Sequence, residues 1–270
     1  FTTINKSTDH FNTKLYTGNG GSLSVTGVGF QPDFTWVKCR TIAYFHNLFD
    51  SVRGVSRTIK SSSSAAEVYA SGEGVTAFNA DGYTMVQGST FEQGNNNVPY
   101  ASWNWKASGS TASNSNGSIT STVSANTTAG FSIVKWTGNG SAGATVGHGL
   151  GAVPGMIIMK NLTENSRQWQ IYHRSLNNGT NPEVKYLEFN TNGELDDAGS
   201  FNDTAPTSSV FTLGSANRGN ENTKNFIAYC FAEKTGYSKF GSFIGNGNAL
   251  GSFIYTGFKP AFVINILLLD

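Results

Sequence analysis

Apolar and polar positions alternate along this chain with a period of two. Phe34, Trp36 and Lys38 interleave with Thr35 and Val37, and Ser22-Leu23-Ser24-Val25-Thr26 does the same, which is the signature of a half-buried β-strand. No stretch carries the 3.6-residue period of an amphipathic helix. Gly18-Asn19-Gly20 and Asp81-Gly82 supply the positive-φ residues of tight hairpins, and Pro32, Pro154 and Pro260 stand where a loop enters a strand. Short runs broken by such turn signals predict an all-β fold of antiparallel β-sandwich modules, of lectin-like or jelly-roll type, with about seven to nine strands in each.

The pattern repeats. Tyr16-Thr17-Gly18-Asn19-Gly20 recurs as Trp136-Thr137-Gly138-Asn139-Gly140 and as Phe243-Ile244-Gly245-Asn246-Gly247. A second block follows each copy: Gly29-Phe30-Gln31-Pro32, then Gly151-Ala152-Val153-Pro154, then Gly257-Phe258-Lys259-Pro260. Farther on, Trp103-Asn104-Trp105 matches Tyr229-Cys230-Phe231. Self-similarity at this spacing means tandem structural units. It divides the chain into an N-terminal extension (1–12), a first module (13–106), a Ser/Thr/Asn/Gly-rich linker (107–130) with one strand expected near 118–124, a second module (131–236) and a partial third repeat (237–270). The third repeat holds too few residues to cover its own apolar side chains, so it is expected to pack on the second module or on a neighbouring subunit.

Composition narrows the function classes. Eighteen basic residues balance seventeen acidic ones in 270 residues, so no basic field exists to hold nucleic acid. Charged residues make up only 13% while aromatics also reach 13%, which separates the chain from disordered polar sequences. The longest apolar run, Phe262 to Leu269, has the length of a strand and predicts no membrane insertion.

Candidate chemistry is sparse. Cys39 and Cys230 form no metal-ligand pair and read as buried small hydrophobes, and the histidines at 10, 46, 148 and 173 share no helical face. His148, between Gly147 and Gly149, reads as a hairpin-tip residue. Asp50 and His173 occupy matching positions in different modules and are not expected to meet. Asp196-Asp197, after Asn190-Thr191-Asn192-Gly193-Glu194, invites calcium but lacks EF-hand spacing, so a solvated loop is the expectation. No metal, no cofactor and no catalytic set is predicted. The paired aromatics Trp103/Trp105 and Tyr229/Phe231 each share one strand face and predict core packing. Recognition falls instead to the loops before those strands, with Phe91, Asn95 and Asn96 in the first module and Asn217, Arg218 and Asn220 in the second as candidate ligand contacts.

Several of these segments resemble a repeat found in structural proteins of marine tailed bacteriophages. They are Asn12-Thr13-Lys14-Leu15-Tyr16-Thr17-Gly18-Asn19-Gly20, Gly27-Val28-Gly29-Phe30-Gln31-Pro32-Asp33, Asn47-Leu48-Phe49-Asp50-Ser51-Val52-Arg53-Gly54, Val146-Gly147-His148-Gly149-Leu150-Gly151 and Tyr229-Cys230-Phe231-Ala232-Glu233-Lys234-Thr235-Gly236-Tyr237-Ser238-Lys239-Phe240-Gly241. The resemblance implies a non-enzymatic protein of the virion surface, in a tail fibre or spike or decorating the head. Other virion subunits are its expected partners, as a homo-oligomer, and host-surface glycans are candidate ligands. A secreted carbohydrate-binding module, or a polysaccharide-degrading enzyme on a lectin-like sandwich, is the alternative.

Overall fold

Nearly every apolar run becomes a strand, because β-branched and aromatic residues flanked by Gly and Asn turns favour pleated, paired backbone. The computed structural model describes residues 2–189, 193–197 and 199–268. The strands of the first repeat are β1 (Phe11–Thr17), β2 (Ser22–Thr26), β3 (Phe34–Cys39), β4 (Asn47–Asp50), β5 (Arg57–Lys60), β6 (Val68–Tyr69), β7 (Gly74–Asn79), β8 (Gly82–Val86) and β9 (Pro99–Trp105). Then come β10 (Ala112–Asn114), β11 (Ser121–Asn126), β12 (Phe131–Thr137), β13 (Ala144–Gly147), β14 (Met156–Asn161), β15 (Gln170–His173), β16 (Lys185–Tyr186), β17 (Leu195–Asp196), β18 (Val210–Leu213) and β19 (Asn225–Phe231). A single four-residue helix, α1 (Asn217–Asn220), stands among the described residues.

The strands form two six-stranded antiparallel sheets, ordered β1-β9-β3-β4-β5-β6 and β10-β11-β12-β19-β14-β15. Smaller sheets, β2-β8-β7 and β13-β18, accompany them. Four strands at the heart of each large sheet follow one order, first-last-third-fourth of the repeat, and their registers agree. Trp105 lies opposite both Phe11 and Phe34, as Phe231 lies opposite both Phe131 and Met156. Leu23 faces Met85 across β2 and β8, as Ala144 faces Leu213 across β13 and β18.

The two large sheets pack face to face. One buried cluster mixes Phe34, Trp36 and Trp105 of the first with Phe131, Ile158 and Tyr229 of the second, and the rings of Phe34 and Tyr229 stack at 4.2 Å. On their far faces each meets its own small sheet, through Val37, Phe49, Tyr83 and Tyr100 in one repeat and Trp136, Met159, Phe211 and Phe226 in the other. The fold is therefore layered small-large-large-small. This corrects the half-buried reading of β3: Thr35 and Val37 are 0% exposed and Phe34 2%, because the opposite repeat covers one face and the small sheet the other.

Two segment assignments change. Residues 107–130, read from composition as a linker with one strand near 118–124, contribute two strands, β11 at about that place and β10 before it, which extend the second sheet through Val123 opposite Val134. Their start is fixed by the buried Asp33 carboxylate, which accepts the backbone N–H groups of Ala107 at 2.7 Å and Gly109 at 3.1 Å. The N-terminal extension is shorter than expected, since β1 already begins at Phe11. After a bridge between Lys234 and Ser238, the chain runs to Leu268 without a strand and lays Phe262, Ile266 and Leu268 against the central core. Phe262 contacts the rings of Phe11, Trp36, Trp103 and Trp105 at 5.2 to 6.3 Å. The third repeat thus seats on rings of the first as well as on the second module, where Phe240 contacts Phe231 at 6.4 Å and His173 at 6.1 Å and Leu267 O accepts from Gly193 N–H. Leu269, the last residue of its apolar run, lies outside the described residues, as do Asp270 and Phe1.

Candidate functional site

The Gly-Asn-Gly turn is the most strongly repeated motif, and the fold explains each of its residues. Gly18 N–H donates to Val98 O and Asn97 N–H donates back to Gly18 O, both at 2.9 Å; Gly138, Lys224 and Thr223 make the same pair at 2.8 and 2.9 Å. A Cβ on Gly18 would stand 2.2 Å from Asn95 O, and one on Gly138 2.4 Å from Glu221 O. Gly20 and Gly140 take φ of +73° and +70°, the region glycine enters without strain. The side chains of Asn19 and Asn139 accept the N–H two residues on, at 2.9 Å. Each turn is thereby clamped to the loop that precedes the last strand of its repeat. Turn and loop together make one end of each sandwich.

These are the loops where recognition was expected, and the six candidates divide. Phe91 is 1% exposed and packs edge-on to Phe49 at 6.1 Å, so it belongs to the core. Asn220 is buried too; its amide donates to Asn139 Oδ1, Ser141 O and Gly214 O at 2.9 to 3.1 Å. Both assignments as ligand contacts are corrected: a short loop crossing the end of a sandwich must fill and satisfy that end with its own side chains. Asn95 donates to Tyr44 Oη at 3.0 Å, and Arg218 pairs with Glu188 at 2.9 Å and with Tyr186 Oη at 2.7 Å. Burial pushes the Glu188 carboxyl upward while Arg218 draws it back. Asn96 and Asn217 remain exposed. With Asn97 in the first repeat and Asn222 and Thr223 in the second they form uncharged, amide-rich rims. Nearby charges are neutralised in pairs, Arg167 with Glu221 and Lys224 with Glu164.

Other singled-out residues serve the fold. His148, read as a hairpin-tip residue, is buried beyond the end of β13, whose partner is the distant β18: its Nδ1 accepts from Leu150 N–H at 3.2 Å and its Nε2 faces Thr207 O at 3.1 Å, and burial lowers its pKa. Asp197 accepts the N–H groups of Ser200, Phe201 and Asp203 while Asp196, expected with it in a solvated loop, pairs with Lys185. Residues 190–192 of that stretch lie outside the described residues. Among the described residues no group of three His, Cys, Asp or Glu side chains converges as a metal site. Cys39 and Cys230 are free and buried.

Two features went unread in the sequence. Lys38 and Lys160 end the same repeated block, and each sends its ammonium to a carbonyl of the following hairpin loop, Tyr44 O and Arg167 O. Lys160 also donates to Ser64 O of the other repeat at 3.1 Å; burial, then Arg167, lowers its pKa to about 8. The recurrence of Lys after Pro-x₅ was the available signal. The second is a latch between repeats, where Arg53, wholly buried, binds Asp50, Glu67 and Leu48 O, and Tyr229 Oη donates to Asp50 Oδ2 at 2.7 Å. Its matching residue, His173, lies on the cleft of about 1610 Å³ beneath the C-terminal segment; burial, then Arg174, lowers its pKa to about 4.

A family model described as a domain of unknown function, DUF7483, matches residues 6–266. No curated protein and no solved structure matches the chain.

Proposed function

The chain belongs to the DUF7483 family, and we propose that it is a non-enzymatic structural protein of the surface of a tailed bacteriophage particle, in a fibre or spike or as a head decoration, whose loop rims meet host-surface glycans. The carrying observation is the pair of like-built ends, each a rigid Gly-Asn-Gly turn clamped to a loop that exposes amides and few free charges. Neutral amides are suited to hydroxyl-rich sugars, whose hydrogen bonds are individually weak and gain from multiplication over many copies. Both faces of the large sheets are already filled, so recognition is left to the loops at their ends. The resemblance to virion repeats supplies the particle. Gold-labelled antibody against the chain should decorate intact particles, and a glycan array should register binding that Asn96→Ala with Asn217→Ala reduces. Unlabelled particles, with the protein recovered only from infected-cell lysate, would overturn the reading.

A further inference from the structure

Asn-Gly dipeptides carry a chemistry of their own: the glycine nitrogen, unhindered by a neighbouring Cβ, can attack Cγ of the asparagine side chain and close a cyclic succinimide. The chain has six, at Asn19, Asn116, Asn139, Asn178, Asn192 and Asn246, of which Asn192 lies outside the described residues. Closure needs a glycine N–H free to lose its proton and an asparagine side chain free to bring Cγ against that nitrogen, so hydrogen bonds to either group oppose it.

In the repeated turns both groups are tied. Gly20 N–H donates to Gly94 O at 2.9 Å and Gly140 N–H to Asn220 O at 2.8 Å. The Asn19 side chain accepts from Gly21 N–H and donates to Ser22 O, both at 2.9 Å, while that of Asn139 accepts from Ser141 N–H at 2.9 Å and from the Asn220 amide at 3.1 Å. Gly179 N–H donates to Leu176 O at 2.8 Å, and the Asn246 amide is held between Asn248 N–H at 3.0 Å and Gly251 O at 2.7 Å. Asn116 differs. It stands exposed between β10 and β11, and among the described residues neither its side chain nor Gly117 N–H has a hydrogen-bond partner. The glycine is required all the same, since a Cβ on Gly117 would lie 2.3 Å from Thr145 O. Packing against β13 fixes glycine there and leaves the asparagine before it loose.

We infer that Asn116 is a site of spontaneous deamidation, reacting ahead of the clamped turn asparagines Asn19 and Asn139. Gly117 N gives its proton to solvent base and bonds to Asn116 Cγ; the Cγ–Nδ2 bond breaks, and Nδ2 takes a proton and leaves as ammonia. Water then opens the ring at one carbonyl or the other, giving aspartate or isoaspartate, with no oxidant or cofactor consumed. Ser118 and Ile119, which follow, are tied to Thr145 by hydrogen bonds of 2.8 to 3.0 Å. The extra main-chain carbon of an isoaspartate is therefore taken up toward β10, an edge strand of three residues.

The test incubates the full chain in mildly alkaline buffer, folded or in urea, and follows each Asn-Gly peptide by mass spectrometry, with isoaspartate marked by an isoaspartyl methyltransferase. In the folded chain Asn116 should deamidate at least about tenfold faster than Asn19 and Asn139, a barrier lower by about 1.4 kcal/mol or more. In urea the three rates should converge, because the clamps are gone. Asn116→Gln should remove the early acidic variant seen by isoelectric focusing. Folded rates at Asn116 no faster than at either turn asparagine, a preference for Asn116 that persists in urea, or an early acidic variant that survives Asn116→Gln would overturn the inference.

Discussion

At the scale of single residues, the repeated letters mark backbone constraints. Gly138→Ala would bring a methyl group within 2.4 Å of Glu221 O, and the loop must shift, so a loss of about 1–3 kcal/mol is expected in denaturant unfolding; Gly241→Ala, with open space around it and no positive φ, controls for composition. Lys160 gives a pH signature. Its folded pKa of about 8 lies below the unfolded 10.5, so the unfolded state holds more protons between those values and stability rises with pH there, by up to ~1.4 kcal/mol per unit. Lys160→Met should flatten that rise, read between pH 8 and 9.5. His173 acts on the acid side: with a folded pKa of about 4 against 6.5, the unfolded state protonates first and stability falls as pH drops from 6.5 to 4, a fall that His173→Gln should reduce. The turn glycines were legible because their recurrence is visible in sequence. That Phe91 and Asn220 point inward was not, since a polar loop and a loop that plugs a sandwich share one composition.

At the scale of elements, alternation located β2, β3 and β9 but not what covers them. β3 reads as half-buried because Thr35 is polar, yet Thr35 Oγ1 is satisfied by Asn104 Oδ1 at 3.1 Å within the buried layer. The strand expected near 118–124 is β11, but β10 was hidden by Ser and Asn, whose burial depends on a neighbouring sheet and not on their own propensity. The latch from β4 to β19 was invisible for the same reason, as Asp50 and Tyr229 stand 179 positions apart. It yields a graded prediction. Arg53→Ala leaves the Asp50 carboxylate buried without its cation and should cost ~3–5 kcal/mol, whereas Tyr229→Phe removes one charge-assisted hydrogen bond and should cost ~1.5–3 kcal/mol. Equal effects in thermal unfolding would mean that the arginine acts by packing alone.

At the scale of the whole molecule, the two repeats are one body, because the face that would make each independent is spent on the other. Phe34 and Trp105 pack on Phe131 and Tyr229, contacts that a free-standing module would leave to water. Residues 13–106 expressed alone should therefore be insoluble or aggregate through that face. The most direct measurement is scanning calorimetry of the full chain. A single transition, with calorimetric and van't Hoff enthalpies in agreement and a midpoint lowered as a whole by Phe34→Ala, is the predicted result. Two resolved transitions, of which Phe34→Ala moves only one, would contradict it.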